Sequence, residues 1–186
     1  MEPAAAQPAP PPLRVPPDWQ PLEPLRIEGG RGSFVGGEPD NPRLRVAYFR
    51  RGDGRLVGRA WFGPGALGPP GHAHGGAVAA VLDEAMGAAA WQAGLIGVAA
   101  SLTTEFRRML PLGTDAMLEA WVEEHQGRKV RTAGRLTGED GTVFAEARAL
   151  FVRLDPERDR AVLERVAYAM RRDVEELLAA LRAGPR

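Results

Sequence analysis

Residues 74–87 read HGGAVAAVLDEAMG, a His-Gly-Gly turn followed by an Ala-rich apolar run that carries a carboxylate two turns in. A helix N-terminus presents unpaired backbone N–H groups and the positive end of the helix dipole. Gly75 and Gly76 would let a thioester carbonyl approach those donors closely, because glycine has no side chain to block it. Asp83 would then supply a nucleophile or a general base. The stretch therefore predicts acyl chemistry at the start of a buried helix.

Asp83 has two interpretations. Burying an unpaired carboxylate is costly, and burial raises its pKa, which suits a base or nucleophile. Alternatively, Asp83 and Glu84 form the solvated edge of an amphipathic helix, since neighbours on a helix differ by about 100°. Gly75 and Asp83 lie about 12 Å apart along the axis at 1.5 Å per residue, too far to bind one carbonyl together. A site shared across a symmetric dimer would resolve this distance.

The composition of the chain excludes several kinds of partner and of chemistry. The chain has 186 residues, 24 basic and 24 acidic, and a formal net charge of zero, so nothing indicates nucleic acid or an anionic membrane as a partner. It has no Cys, which excludes disulfides, thiolate catalysis and Cys-based zinc sites. The N-terminus does not resemble a secretory signal, and no segment is apolar for long enough to span a membrane. We expect a cytoplasmic protein with one domain and tails.

The chain divides into three parts. Residues 1–24 are Pro-rich, and we expect them to form an arm that is disordered or draped over the surface. We expect this arm to serve as a linker and not as a ligand for a recognition domain. Residues 25–154 would form the domain, and residues 155–186 a C-terminal amphipathic helix and tail. That helix would start with Asp155 as N-cap and Pro156 at its first position. It would pack against its own domain or form a subunit contact.

Patterning within the domain predicts the order β-β-α-β-β-β-β. Two strands flank an Asp-Gly turn, a Gly- and Pro-rich loop leads into the His-Gly-Gly turn, and the helix is apolar almost all round, so a sheet should wrap it. Four more strands follow at 98–107, 114–126, 128–137 and 142–153. Alternation in the first of these places Val98, Leu102 and Phe106 on one face, and Ser101 and Thr103 on the other.

Each of the other candidate site residues can be explained either by a functional role or by an ordinary structural one. His72 and His74 have a spacing sometimes used for metals, yet no acidic cluster is near, so His74 is better explained as fixing the turn. Ser101 and Thr103 could line a ligand cleft or face solvent. Arg107 and Arg108 could meet phosphates or be exposed charges.

The chain resembles hotdog-fold acyl-CoA thioesterases of the phenylacetate-degradation type over about residues 40–153. The resemblance rests on His74-Gly75-Gly76 with Asp83 nine residues after the His, on the preceding Gly68-Pro69-Pro70-Gly71, and on the segment EFRRMLPLG at 105–113. It implies an α+β hotdog fold, with a long central helix wrapped by a curved antiparallel sheet. Homodimers with two shared active sites, sometimes paired into homotetramers, are also implied.

The resemblance also implies roles for individual residues. The amide of Gly75 would polarise the thioester carbonyl within the motif His74-Gly75-Gly76, and Asp83 would attack the carbonyl or activate a water. Ser101 matches a position at which some relatives carry a polar residue that positions this water. Arg107 and Arg108 would meet the CoA phosphates. Coenzyme A would enter only as part of the substrate, with no further cofactor and no metal.

Two other functions stay open at this point. Some relatives place an Asn or Gln in the loop before the motif, where this chain offers only His72 as a polar residue. That departure favours the alternative of a non-catalytic or weakly catalytic acyl-CoA-binding hotdog protein. A hotdog dehydratase is disfavoured. Dehydratases of this fold resemble one another in carrying a His and acid pair at the helix, and this helix has no His after His74. The identity of the acyl chain is not encoded in any motif.

Overall fold

The computed structural model describes residues 13–22, 33–36, 41–169 and 173–183. Its strands and helices, in chain order, are β1 Gln20–Pro21, β2 Leu44–Arg50, β3 Leu56–Phe62, α1 Gly75–Gln92, β4 Gly97–Phe106, β5 Asp115–Gln126, β6 Lys129–Thr137, β7 Val143–Arg153, α2 Arg160–Ala169 and α3 Val174–Ala183. The predicted hairpin, central helix and four following strands are confirmed in this order.

The strands form one antiparallel sheet in the order β1-β2-β3-β5-β6-β7-β4, and the sheet is not closed into a barrel. Helix α1 packs along one face of it, which we call the inner face; the opposite face is the outer face. Leu82 and Met86 of α1 are fully buried. A Cβ on Gly134 of β6 would lie 3.2 Å from Met86 Cγ, so glycine there lets the sheet approach the helix closely.

Strand β4 forms one edge of the sheet and contains a β-bulge that changes the predicted faces. Ala99 pairs with Phe151, whereas Ser101 pairs with Leu150, so one extra residue is inserted between them. Paired residues share a face, and Val98 therefore lies on the outer face with Ser101. The predicted common face of Val98 and Leu102 is wrong, because strict alternation does not survive a bulge.

Residues 13–19 of the N-terminal segment cross the outer face, and β1 then pairs with β2 at the edge of the sheet. The backbone N–H of Arg14 donates to Asp115 Oδ2 at 3.0 Å, and its guanidinium pairs with Glu139 at 3.0 Å. Trp19 packs against Phe49, with ring centroids 5.7 Å apart and the ring planes tilted by 45°. The rest of the arm predicted for residues 1–24 lies outside the described residues.

Beyond β7 the chain forms two helices where the sequence predicted one. Asp155 accepts hydrogen bonds from the N–H groups of Glu157 and Arg158, but these close a turn, and α2 begins only at Arg160. Asp173 accepts the N–H of Glu176 and so starts a separate helix. Both helices pack on the domain through a second core of residues Ile96, Leu154, Leu163, Ala167, Leu177, Leu178 and Leu181. Within the described residues, no helix is long and apolar enough to cross a membrane.

Candidate active site

The loop before α1 is held rigidly against the first turn of that helix. The N–H of His74 donates to Ala66 O at 2.8 Å, and Ala73 N–H donates to Leu110 O at 2.8 Å. A Cβ on Gly68 would lie only 2.6 Å from His74 Cα, so only glycine fits where the loop passes the turn. The Gly-rich loop therefore fixes where α1 begins.

His74 is the N-cap of α1 and fixes the Gly-Gly turn, as the sequence predicts. Its Nδ1 accepts the N–H of Gly76 at 2.9 Å, so this ring nitrogen carries no proton in that arrangement. A Cβ on Gly76 would lie 3.0 Å from the same Nδ1 and crowd the cap. His74 acts here on the backbone of the turn.

The capping pattern leaves one backbone donor of the first turn unused. The N–H groups of Ala77 and Val78 donate to His74 O at 2.9 and 3.2 Å, and that of Gly76 is bound by the His74 ring. Within the described part of the chain, the N–H of Gly75 has no acceptor. A free N–H at a helix N-terminus can stabilise a developing oxyanion.

Asp83 is half-buried, which is the arrangement expected for a functional carboxylate. Burial raises the pKa of Asp83, and the described residues offer it neither a hydrogen bond nor an ion pair. Its neighbour Glu84 is also half-buried but accepts a hydrogen bond from the hydroxyl of Tyr48 on β2 at 3.1 Å. Burial, together with Glu84 and then Asp83, raises the pKa of Tyr48 well above its ordinary value. The two adjacent carboxylates therefore differ: Glu84 has a partner and Asp83 has none.

Gly75 and Asp83 share one side of α1, because positions 75, 79 and 83 follow the i, i+4, i+8 spacing of a helix face. Two turns separate them, about 12 Å at 1.5 Å per residue. This side faces the edge strand, since a Cβ on Gly75 would lie 3.2 Å from Phe106 Cζ. The donor and the carboxylate of one chain therefore flank the inner face of β4 without meeting.

Ser101 and Thr103 lie on the outer face of β4, away from α1 of their own chain. They pair with Leu150 and Arg148, whereas Leu102 and Thr104 pair with alanines of the inner core. The structure thus does not bring Ser101 to Asp83 within one chain. Thr103 and Arg107 instead line an outer-face depression of about 270 Å³.

The two arginines predicted to meet phosphates differ in their surroundings. Arg107 pairs with Glu105, and its Nε donates to Glu146 Oε2 at 2.9 Å. Arg108 is exposed, forms no salt bridge with a described carboxylate, and interacts only at longer range with Asp140, whose pKa it helps to lower. Arg108 is therefore the more available of the two to bind an anion.

His72 does not join a metal site among the described residues. Its Nδ1 lies 2.8 Å from Pro70 O, a distance at which Nδ1–H donates to the carbonyl. No group of three or more His, Asp or Glu side chains capable of holding a metal ion occurs in the described ranges.

Sequence reasoning missed Tyr48 of β2, whose hydroxyl donates to Glu84 beside the candidate acid. No local pattern links β2 to α1. Leu102 and Phe106 of β4, by contrast, share the face that the alternation predicts for them, because both follow the bulge.

Comparison with known proteins matches part of the chain to a protein family and supports the fold. The family model described as "Thioesterase superfamily" matches residues 70–145. Acyl-coenzyme A thioesterase THEM4 of Xenopus laevis is 34% identical over 111 residues, covering 59% of this chain and 50% of that protein. The chain thus spans about half the length of the curated relatives it matches.

Solved structures agree with this comparison. A crystal structure described as a thioesterase superfamily protein is 35% identical, with a TM-score of 0.59, over 66% of this chain and 63% of that one. A Bacillus halodurans protein solved with CoA is 25% identical, with a TM-score of 0.53, over 58% of this chain and 73% of that one. The fold predicted from the resemblance, a hotdog fold with a central helix and additional C-terminal helical structure, is confirmed.

Proposed function

We propose that the protein is a member of the thioesterase superfamily, whose family model matches residues 70–145, and that it hydrolyses acyl-CoA thioesters to a free acid and coenzyme A. The observation that carries the proposal is the pairing of two unsatisfied groups on one side of α1. These are the free N–H of Gly75 and the half-buried, unpartnered carboxylate of Asp83. An acyl transfer needs both a donor for the oxyanion and a nucleophile or base.

The chemistry follows from these two groups. Asp83 takes a proton from a water as that water attacks the thioester carbonyl, or its carboxylate attacks directly and water hydrolyses the resulting anhydride. In either route the carbonyl oxygen becomes negative and accepts the N–H of Gly75. The tetrahedral intermediate then collapses, and the C–S bond breaks to release the CoA thiolate, which takes up a proton.

The active site is shared between two chains in this proposal. Gly75 and Asp83 of one chain are about 12 Å apart, whereas a two-fold axis can place Gly75 of one copy beside Asp83 of the other. Strand β4 is the natural contact: one of its edges is unpaired within the described residues, and Phe106 and Val98 are 57% and 53% exposed. Arg108, near the end of this strand, would bind a phosphate of CoA.

The test compares Asp83→Asn with the matched variant Glu84→Gln, using thiol release from short, medium, long and aromatic acyl-CoAs. Loss of a base or nucleophile should lower kcat by about 100-fold or more. Glu84→Gln should retain activity within a few-fold, because an amide oxygen still accepts the Tyr48 hydroxyl. Equal turnover by wild type and Asp83→Asn would refute the role of Asp83.

A second candidate is an acyl-CoA-binding protein without efficient turnover. It is favoured by the loop before α1, in which His72 is the only polar side chain from 63 to 73 and its Nδ1 is occupied by Pro70. Binding of acyl-CoA without thiol release from any member of the panel would establish this candidate in place of the first.

A further inference from the structure

A cavity of about 400 Å³ lies where the end of β7 meets the turn before α2 and the end of α3. Its walls come from Gly127 and Arg128 in the β5–β6 turn, from residues 153–157, and from Leu181 and Arg182 of α3. Sites that hold small molecules have volumes of about 300 to 1,000 Å³. The described residues that line this cavity do not belong to the candidate active site, so a ligand here would occupy a second site. We call it the β7–α3 cavity.

Hydrogen bonds hold the walls of the β7–α3 cavity in place. Arg153 N–H donates to Arg128 O at 2.8 Å, and Arg128 Nε–H donates to Arg153 O at 3.0 Å, which ties the β5–β6 turn to the end of β7. Leu154 N–H donates to Ile96 O at 2.9 Å, and Leu154 and Leu181 are both buried in the second core. The cavity is therefore built into the junction between the sheet and the C-terminal helices.

Two of the three arginines that line the cavity face carboxylates. Arg182 Nη2 lies 2.6 Å from Glu157 Oε1, and Arg182 Nε donates to the same oxygen at 3.2 Å. Arg128 Nη2 lies 3.5 Å from Asp159 Oδ2, which is a looser pair. The charges of these two arginines are therefore compensated, in full or in part, within the chain.

Arg153 differs from them, because it forms no salt bridge with any described residue. Its Nη2 donates to Leu181 O at 3.4 Å, which is long for a hydrogen bond. Its Nε is shielded from solvent and has no hydrogen-bond partner in the described part of the chain. A half-buried guanidinium without an anion is costly, so an anion in the cavity would stabilise it.

The remaining walls indicate which kind of anion fits. Leu154, Pro156 and Leu181 line the same cavity and offer it apolar surface. Asp155 and Glu157 line it as well, so three arginines and two carboxylates leave one net positive charge. That balance suits an anion with a single charge, because two carboxylates would repel an inorganic phosphate dianion more strongly. An organic acid with one carboxylate and one apolar group matches both the charge and the walls.

We propose that the β7–α3 cavity binds a small carboxylic acid as its anion, with the carboxylate on Arg153 and the apolar group against Leu154 and Leu181. The terminal nitrogens of a guanidinium donate two parallel hydrogen bonds to a carboxylate, which makes arginine selective for this group. The site does not depend on the proposed hydrolysis, although a free acid is also the class of product that this reaction would release. Binding would join the end of α3 to β7 and so stabilise the C-terminal helices.

The test measures binding of hexanoate, benzoate, uncharged hexanamide and inorganic phosphate by isothermal titration calorimetry, in a buffer that contains neither carboxylates nor phosphate. Wild type is compared with Arg153→Gln and with the matched variant Arg148→Gln. Arg148 belongs to the same strand, but its side chain is 74% exposed on the outer face and does not line the cavity. Thermal melting with and without hexanoate shows whether each variant is folded and reports any stabilisation by the ligand.

Wild type and Arg148→Gln should bind the two acids more tightly than hexanamide or phosphate, and hexanoate should raise their melting temperatures. Arg153→Gln should bind the acids about tenfold more weakly or worse, because a hydrogen-bonded charge is lost. A folded Arg153→Gln chain that binds the acids as wild type does would overturn the inference, as would a wild type that binds neither acid. Equal binding of hexanamide, or tighter binding of phosphate, would refute the assignment to carboxylates.

Asp83→Asn separates this cavity from the candidate active site, where a free acid could also bind. It should bind hexanoate as wild type does, whether or not the protein releases thiol from acyl-CoA. Loss of acid binding in Asp83→Asn, with full retention in Arg153→Gln, would place the acid in the candidate active site and overturn the inference. The inference and the proposed hydrolysis can therefore fail separately.

Where Arg153→Gln does not fold, Arg153→Lys takes its place. It keeps the positive charge but loses the planar pair of donors, so it should bind the acids several-fold more weakly than wild type. An unchanged affinity in this variant counts against the inference in the same way.

Discussion

A single amide distinguishes the first turn of α1 from an ordinary capped helix. Gly75 occupies the first helical position, where proline is well tolerated, and His74 before it has φ −65° and ψ 135°, which proline also permits. Gly75→Pro therefore removes the N–H with little change to the helix. Gly75→Ala keeps the N–H and adds a Cβ 3.2 Å from the Phe106 ring, which must then shift slightly.

We expect Gly75→Pro to lower kcat by about 100- to 1000-fold, the usual effect of losing one oxyanion donor. Gly75→Ala should stay within about tenfold of wild type, because its donor is intact. Thiol release at saturating acyl-CoA measures both variants. If both lose the same activity, the space at position 75 matters and its N–H does not.

The ionised carboxylate of Asp83 should lower the free energy of unfolding at neutral pH. Burial raises the pKa of Asp83, so the folded chain binds this proton more tightly than the unfolded chain. Stability is therefore lost as the pH rises through the folded-state pKa, and it is regained as the pH falls toward the ordinary carboxyl range. Asp83→Asn, which is neutral at every pH, should melt at a higher temperature than wild type at pH 8, and this difference should shrink toward pH 4.

Differential scanning calorimetry across this pH range checks the prediction, and kcat/KM of wild type should fall in the same acidic window as Asp83 becomes protonated. Glu84→Gln serves as the control, since Glu84 accepts the Tyr48 hydroxyl and an amide oxygen at this position can accept it as well. A melting difference between Asp83→Asn and wild type that does not vary with pH would contradict the assignment.

Residues of the motif were predictable and residues that act through tertiary contacts were not. The spacing of His74, Gly75 and Asp83 already predicted the cap and the glycine turn, because both depend on one helix, and it left open whether Asp83 is buried or solvated. Tyr48 reaches Glu84 only because β2 packs against α1. No local pattern encodes that contact.

At the scale of elements, the edge strand β4 shows that an alternating pattern predicts a strand without predicting which face every residue of it occupies. The strand itself was predictable from its alternation, but the bulge at Ala100 reverses the faces of the residues before it. The C-terminal helices show a similar limit. Asp155 is a residue type typical of a helix cap, but here it closes a turn. Asp173 starts a second helix within a stretch whose pattern predicts one amphipathic helix.

The unpaired edge of β4 should join two chains. Leu102 is 38% exposed on this strand, and a lysine there would place an unpaired charge in the dimer contact. Leu102→Lys should therefore be largely monomeric by analytical ultracentrifugation where wild type is dimeric. The control is Val162→Lys on α2, where the original side chain is 47% exposed and lies on a separate element. Dimers of equal stability for both variants would remove β4 from the interface.

At the scale of the whole molecule, neither the candidate active site nor the pairing of the edge strand is complete within one chain. The amide of Gly75 and the carboxylate of Asp83 lie two turns apart on a rigid helix, and β4 leaves apolar side chains and one row of backbone groups open beside them. A second copy related by a two-fold axis would cover the edge strand and bring the missing group to each site. One assembly step would therefore satisfy both the sheet edge and the chemistry.

This arrangement predicts that two inactive variants restore each other. In a dimer of one Asp83→Asn chain and one Gly75→Pro chain, one site receives the intact Gly75 and the intact Asp83, and the other receives both changes. One of the two sites of each mixed dimer is therefore intact, so purified mixed dimers should have about half of the wild-type activity. The two chains are co-expressed with different affinity tags, and the doubly tagged dimers are purified and assayed for thiol release. No activity in those dimers would mean that each chain builds its site alone, since neither variant chain has both groups.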